Sequence, residues 1–117
     1  MIKMKKVEMV RKIESWLKKN RLTSCVRIYF NNKCFCWYDS SKNKKIIEDI
    51  KGSDYFDYAN DETISMSFEG PLYEVLNYAC DSKRYETLED EFINLIKSYG
   101  YYYELGNAWN LSMYEIG

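Results

Sequence analysis

Two runs of strand-forming residues, SCVRIYF and KCFCWYD, are separated by nothing but Asn31-Asn32. Asparagine tolerates the positive φ that a two-residue hairpin turn demands, so the stretch reads as a β-hairpin. A hairpin of this kind commits the chain to antiparallel pairing, with Val26, Ile28 and Phe30 on one face of their strand. TISMSFE repeats the period of two, setting Ile64, Met66 and Phe68 against Thr63, Ser65 and Ser67, and is expected to be a half-buried strand. The closing stretch YGYYYELGNAWNLSMYEI, residues 99 to 116, reads as a second hairpin around a Gly106-Asn107 pair. There Trp109, Leu111 and Met113 alternate against Ala108, Asn110, Ser112 and Tyr114, which assigns Trp109 to the core. Tyr101 and Tyr103 share a face and Tyr102 takes the other. Such a tyrosine row suits cross-strand pairing, and it equally suits partner contact, where tyrosine is enriched.

Between these runs the apolar spacing turns helical. Met9, Val10, Ile13, Trp16 and Leu17 define a helix over about residues 4 to 19 with a lysine-rich outer face. Ser41 can cap a short helix carrying Ile46, Ile47 and Ile50 that stops at Gly52. Gly70-Pro71 opens a helix with Leu72, Val75, Leu76 and Ala79 inward, since proline suits the first helical position. Thr87 is expected to cap another, with Leu88, Phe92, Leu95 and Ile96 inward and Gly100 closing it. SDYFDYANDE is an acidic, aromatic loop. The order αββαβααββ predicts an α+β fold, with about five mainly antiparallel strands and helices packed on one face. At 117 residues and 46% hydrophobic, the chain has the size of one domain, residues 1–117, around one core.

Several functional classes lose their support here. No window approaches the roughly 20 apolar residues of a membrane span. The N-terminal lysines run into an amphipathic pattern rather than a signal's apolar stretch, so the expectation is a cytoplasmic protein of a bacterial host with no membrane partner. There is no histidine, the usual base at neutral pH, and no nucleophile elbow, P-loop, dinucleotide fingerprint or zinc-protease motif, so no enzyme and no catalytic residue are expected. Cys25, Cys34, Cys36 and Cys80 lack zinc-knuckle spacing, and the preferred reading is four small buried hydrophobes with no metal and no cofactor. A redox role for Cys34 and Cys36, two apart on one strand face, stays open.

The charge is segregated. Through Lys51 there are 14 Lys or Arg against five Asp or Glu, and beyond it three against 13, halves of +9 and −10 within a net of −1. Opposed fields of this kind steer partners of opposite sign, unless the halves fold against each other and merely present solvated charges. Two readings follow. Lys5, Lys12, Lys19 and Arg21, with Arg27 and Lys33 on the hairpin, could lie along the phosphates of DNA or RNA, although no recognition motif accompanies them. Alternatively Asp54, Tyr55, Asp57, Tyr58, Asp61 and Glu62, with Glu86, Glu89, Asp90 and Glu91, could occupy a basic nucleic-acid-binding surface of a host protein or protein–nucleic-acid complex. Spaced carboxylates imitate phosphates there, and tyrosines supply the anchors.

SFEGPLYEVLNYA and LEDEFINLIKSYGYYYELGNAWNLSMYEI, within residues 65 to 116, resemble small proteins from phages and mobile elements of AT-rich Firmicutes. That gene pool includes anti-CRISPR and other anti-defence inhibitors, so the resemblance implies a compact acidic binder. It carries no catalytic motif, and the basic N-terminal half departs from a plain DNA mimic. The expectation from the sequence is thus a non-enzymatic protein-binding inhibitor, with the small nucleic-acid-binding protein as its alternative.

Overall fold

The computed structural model describes residues 2–38 and 43–117. Its elements are α1 (Ile2–Lys19), β1 (Val26–Phe30), β2 (Lys33–Trp37), β3 (Lys45–Glu48), β4 (Ser65–Phe68), α2 (Pro71–Asn77), α3 (Lys83–Lys97), β5 (Tyr101–Asn107) and β6 (Asn110–Glu115). Short 3₁₀ turns at Gly52–Asp54 and Ala79–Asp81 connect them. The strands form one sheet in the order β3-β2-β1-β4-β6-β5, and every pairing is antiparallel. The fold is α+β, with six strands where about five were expected.

Register decides which side chains meet. Ile28 pairs with Phe35 on one side and Met66 on the other, Met66 pairs with Leu111, and Tyr103 pairs with Met113. Strand alternation puts these on one face together with Val26, Phe30, Trp37, Phe68 and Tyr101. All three helices bury their apolar stripes against that face: Met9, Ile13, Trp16 and Leu17 of α1, Leu72 and Val75 of α2, and Leu88, Phe92 and Ile96 of α3. Trp16 and Phe92 stack with ring centroids 5.3 Å apart and tie α1 to α3. Burying such large side chains stabilises by about 1.5–3 kcal/mol each, so this layer carries most of the fold's hydrophobic energy.

The opposite face has a second, smaller core of Tyr29, Cys34, Cys36, Ile50 and Phe56, with Ile47, Ala59 and Trp109 half-buried against it. Residues 49–62 therefore run across the sheet on the side without helices.

Four expectations are corrected. The helix anticipated over 41–52 is instead the edge strand β3, where Ile46 pairs with Phe35 and Ile47 with Cys34; its cap, Ser41, lies outside the described residues. The adjacent β-branched pair tolerates a strand well, and the open edge of β2 supplies backbone partners that an isolated short helix lacks. α3 starts at Lys83, because Ser82 rather than Thr87 caps it by accepting from the Tyr85 N–H, while Thr87 Oγ1 donates back to the Lys83 carbonyl. Trp109 sits in the turn before β6, on the side opposite Leu111 and Met113, edge-on to Phe56 at 5.9 Å. The alternation that places Leu111 and Met113 in the main core does not extend past the first residue of the strand. Among the cysteines, Cys34 and Cys36 are buried but Cys25 and Cys80 are exposed, and all four are free thiols.

Candidate partner-binding margin and the open face of the sheet

The acidic loop is fastened to the sheet by a polar seam. Ser65 and Ser112, directly paired across β4 and β6, are both buried with hydroxyl oxygens 3.0 Å apart. The Asn60 N–H donates to Ser65 Oγ at 2.8 Å and Ser112 Oγ donates to the Tyr58 carbonyl at 2.9 Å. Asn60 Nδ2 and Thr63 Oγ1 both donate to the Met113 carbonyl. Buried hydroxyls require partners, and here the loop backbone supplies them. The seam holds Tyr58 at a φ of 66°, a conformation rarely adopted by a bulky residue, and leaves its ring 78% exposed.

Around this seam the predicted acidic residues divide by role. Asp54 accepts from the Lys51 N–H, and Asp61 accepts from the Ser53 N–H and hydroxyl, so both carboxylates also shape the loop. Asp57 is exposed and its carbonyl lies against Gly106 of β5. Tyr55 stacks on Tyr29 at 5.9 Å, with its outer part exposed. Next to the loop, Tyr58, Glu104, Leu105, Gly106 and Tyr114 frame a shallow depression of about 350 Å³. Tyr102 and Tyr114, paired across β5 and β6, hold their rings 5.7 Å apart on this same face. Neither 53–62 nor 101–117 contains a Lys or Arg, while together they carry Asp54, Asp57, Asp61, Glu62, Glu104 and Glu115. Glu104 and Leu105 were not singled out in the sequence, whereas Tyr102 and Tyr114 belong to the closing hairpin whose tyrosines were read there as suited to partner contact. Their signal was present in the same alternation that separated Tyr102 from Tyr101 and Tyr103.

The second acidic segment reaches the same edge strand from the helix layer. Phe92 of α3 packs on Tyr103 of β5 with centroids 5.5 Å apart. Burial, and after it the nearby Glu89 carboxylate, pushes the Tyr103 phenol up to about 12. Glu89 is itself raised by burial and by its neighbours Asp90 and Glu86, so these three carboxylates crowd one flank of α3. Glu91 does not join them: its Oε1 accepts from Trp16 Nε1 at 3.0 Å, on the side of α1. Asp57 from the loop and Glu86, Glu89 and Asp90 from α3 thus flank β5, with Asp54, Asp61 and Glu91 set apart.

The basic candidates are dispersed. Lys5, Lys12 and Lys19 are exposed on α1, and Arg21, exposed, follows it with a φ of 58°. Lys33 lies over the Phe30 ring at 5.1 Å. Arg27, between Val26 and Ile28 on β1, points to the opposite face of the sheet from α1. Other cations of the basic half are engaged internally. Lys6 Nζ donates to the Glu62 carbonyl at 2.8 Å, and Lys18 and Lys44 pair with the buried Glu14 at 2.8 and 2.7 Å. Burial pushes the Glu14 carboxyl up, but hydrogen bonds from the two ammonium groups more than offset it and leave the group below the usual carboxylate range.

Among the described residues no group of three or more His, Cys, Asp or Glu could hold a metal ion, and no helix is long and apolar enough to cross a membrane. Comparison with protein families, with curated proteins and with solved structures finds no match.

Proposed function

We propose that the protein is a non-enzymatic binding module that sets the acidic, tyrosine-bearing margin around β5 against a basic, nucleic-acid-binding surface of a host protein or complex. The carrying observation is the union of residues 57–58 with β5 and β6 into one surface that holds Asp57 and Glu104 beside three exposed or half-exposed tyrosines, Tyr58, Tyr102 and Tyr114. Carboxylates spaced over a rigid sheet present the charge pattern a phosphate-binding groove selects, and the tyrosines add desolvated contact area at low entropic cost. The resemblance of the C-terminal half to phage and mobile-element proteins makes an anti-CRISPR or other anti-defence inhibitor the functional class that fits this chemistry best. The alternative, phosphate binding along α1, retains Lys5, Lys12 and Lys19 but loses Arg27 to the other face.

Capture from a nuclease-treated host lysate tests the proposal when combined with charge reversals. Asp57→Lys with Glu104→Lys is expected to release the protein partner, and Lys5→Glu with Lys12→Glu and Lys19→Glu to retain it. Added single-stranded DNA should compete with the partner. Nuclease-sensitive capture that survives the acidic reversals and disappears with the lysine reversals would replace the proposal with direct nucleic-acid binding.

A further inference from the structure

A cleft of about 340 Å³ opens on the helix-free face beside residues 55–56, within the size range of small-ligand sites. Its polarity follows from the strand order. Arg27 of β1 faces into it, half-buried, donating to the Tyr29 hydroxyl at 3.4 Å and lying 5.8 Å from the centroid of the Tyr38 ring. Lys45 of β3 approaches the same ring at 5.3 Å. Among the described residues neither cation forms an ion pair; both described ion pairs belong to Glu14. Across β4, the cleft is lined by Ser67, Glu69 and Trp109, while Tyr55 lies against Tyr29 on the β1 side.

Neighbouring strands lie about 4.8 Å apart. Arg27 pairs directly with Ser67, and Trp109 lies one strand further on, where its carbonyl accepts from the Phe68 N–H. The backbones that carry Arg27 and Trp109 are therefore two strand spacings apart, about 10 Å. That is the reach between the phosphate and the far ring of a mononucleotide. A guanidinium without an ion pair among the described residues, and with a second cation nearby, suits a phosphate. Exposed aromatic faces suit a base, and a carboxylate at the base end accepts from an exocyclic amine.

We propose that this cleft is a nucleotide site, taking a phosphate at Arg27, with Lys45 close by at the Tyr38 ring, and an amino-bearing base against Trp109 with Glu69 as acceptor. It shares Tyr55 and Phe56 with the loop of the acidic margin but does not rest on the partner reading. The ligand is either a free mononucleotide or one nucleotide of a single strand, the recognised chemistry being the same.

Tryptophan fluorescence and calorimetry with AMP, adenosine, IMP and inorganic phosphate test it. AMP should bind saturably, with quenching of Trp109, and adenosine, IMP and phosphate should each bind more weakly. Arg27→Gln should weaken AMP about tenfold or more, the size of a lost charge-assisted hydrogen bond, and leave adenosine unchanged. Lys45→Gln, on an exposed edge strand, is the second variant should the first fail to fold, and should weaken AMP in the same direction. An oligoadenylate that binds more tightly than AMP, with strong salt dependence, identifies a strand as the source; equal affinity identifies the free nucleotide. No saturable response to millimolar AMP, or AMP binding untouched by both substitutions, would overturn the site.

Discussion

Removing a single hydroxyl tests whether the acidic loop is held as rigidly as its hydrogen bonds imply. Ser112 is 3% exposed, and its Oγ donates to the Tyr58 carbonyl at 2.9 Å while accepting from the Asn60 N–H at 3.2 Å. In Ser112→Ala the Asn60 N–H keeps Ser65 Oγ at 2.8 Å, but the Tyr58 carbonyl loses its hydroxyl donor. A partly buried polar group left without a partner costs about 1–3 kcal/mol, whereas the methyl group retained by alanine makes the packing loss small. A loss of about 1–2 kcal/mol is therefore expected, read as a lower urea midpoint at unchanged slope. The loss should be local in its dynamics. Tyr58 keeps its positive φ only while the seam holds it, since such a conformation costs about 1–3 kcal/mol by itself. Amide exchange should accelerate over residues 58–63 and remain unchanged in α1 and α3. Partner affinity should fall although no contact residue has been altered. An unchanged midpoint together with unchanged exchange over 58–63 would refute the account of the seam.

Other measurements bear on the remaining structure. Trp109→Ala should cost about 1–2 kcal/mol, below the 3–5 kcal/mol of a fully buried tryptophan, because its ring contacts Phe56 from a half-buried turn; a loss in the higher range on thermal melting would return it to the main core. A thiol reagent should modify Cys25 and Cys80 rapidly and leave Cys34 protected until unfolding, since burial pushes the Cys34 thiol up to about 12; four equally fast thiols in the folded protein would contradict this. The Tyr103 phenol is raised from 10.0 to about 12, so its neutral form is the one favoured by folding. Its contribution is complete below the unfolded value and is lost as pH rises between 10 and 12. Tyr103→Phe should flatten the alkaline fall in denaturation midpoint over that interval, and an unchanged fall would remove Tyr103 as its source.

The features that could be read in the sequence were those whose signals are local. Asn31-Asn32 between two β-runs announced β1 and β2, and both asparagines adopt the positive φ that the turn requires, 50° and 59°. The spacing of Met9, Ile13, Trp16 and Leu17 announced α1, and Pro71 announced α2. β3 was not legible, because Ile46, Ile47 and Ile50 satisfy a helical stripe as well as a strand, and only the free edge of β2 decides between them. The position of Trp109 depends on where β6 begins, which pairing with β4 determines. The candidate margin was half visible: the acidic loop stood out by composition, but its union with Tyr102, Glu104 and Tyr114 is made by the buried hydroxyls of Ser65 and Ser112, which look unremarkable in a strand. Arg27 read as one more member of a basic half, and only strand alternation turns it away from α1.

The unequal edges of the sheet carry a consequence for self-assembly. β3 closes one end with four residues and β5 the other with seven, and an open strand edge invites pairing with a second chain. On β5 the register slips between Leu105 and Asn107, which interrupts the regular ladder, and Glu104 places a charge beside it. Both are devices that discourage copies from adding edge to edge. With Glu104 replaced by an uncharged residue, only the bulge remains as a guard. Crowded solutions of the folded protein should then begin to associate through β5, before the main core between sheet and helices is disturbed.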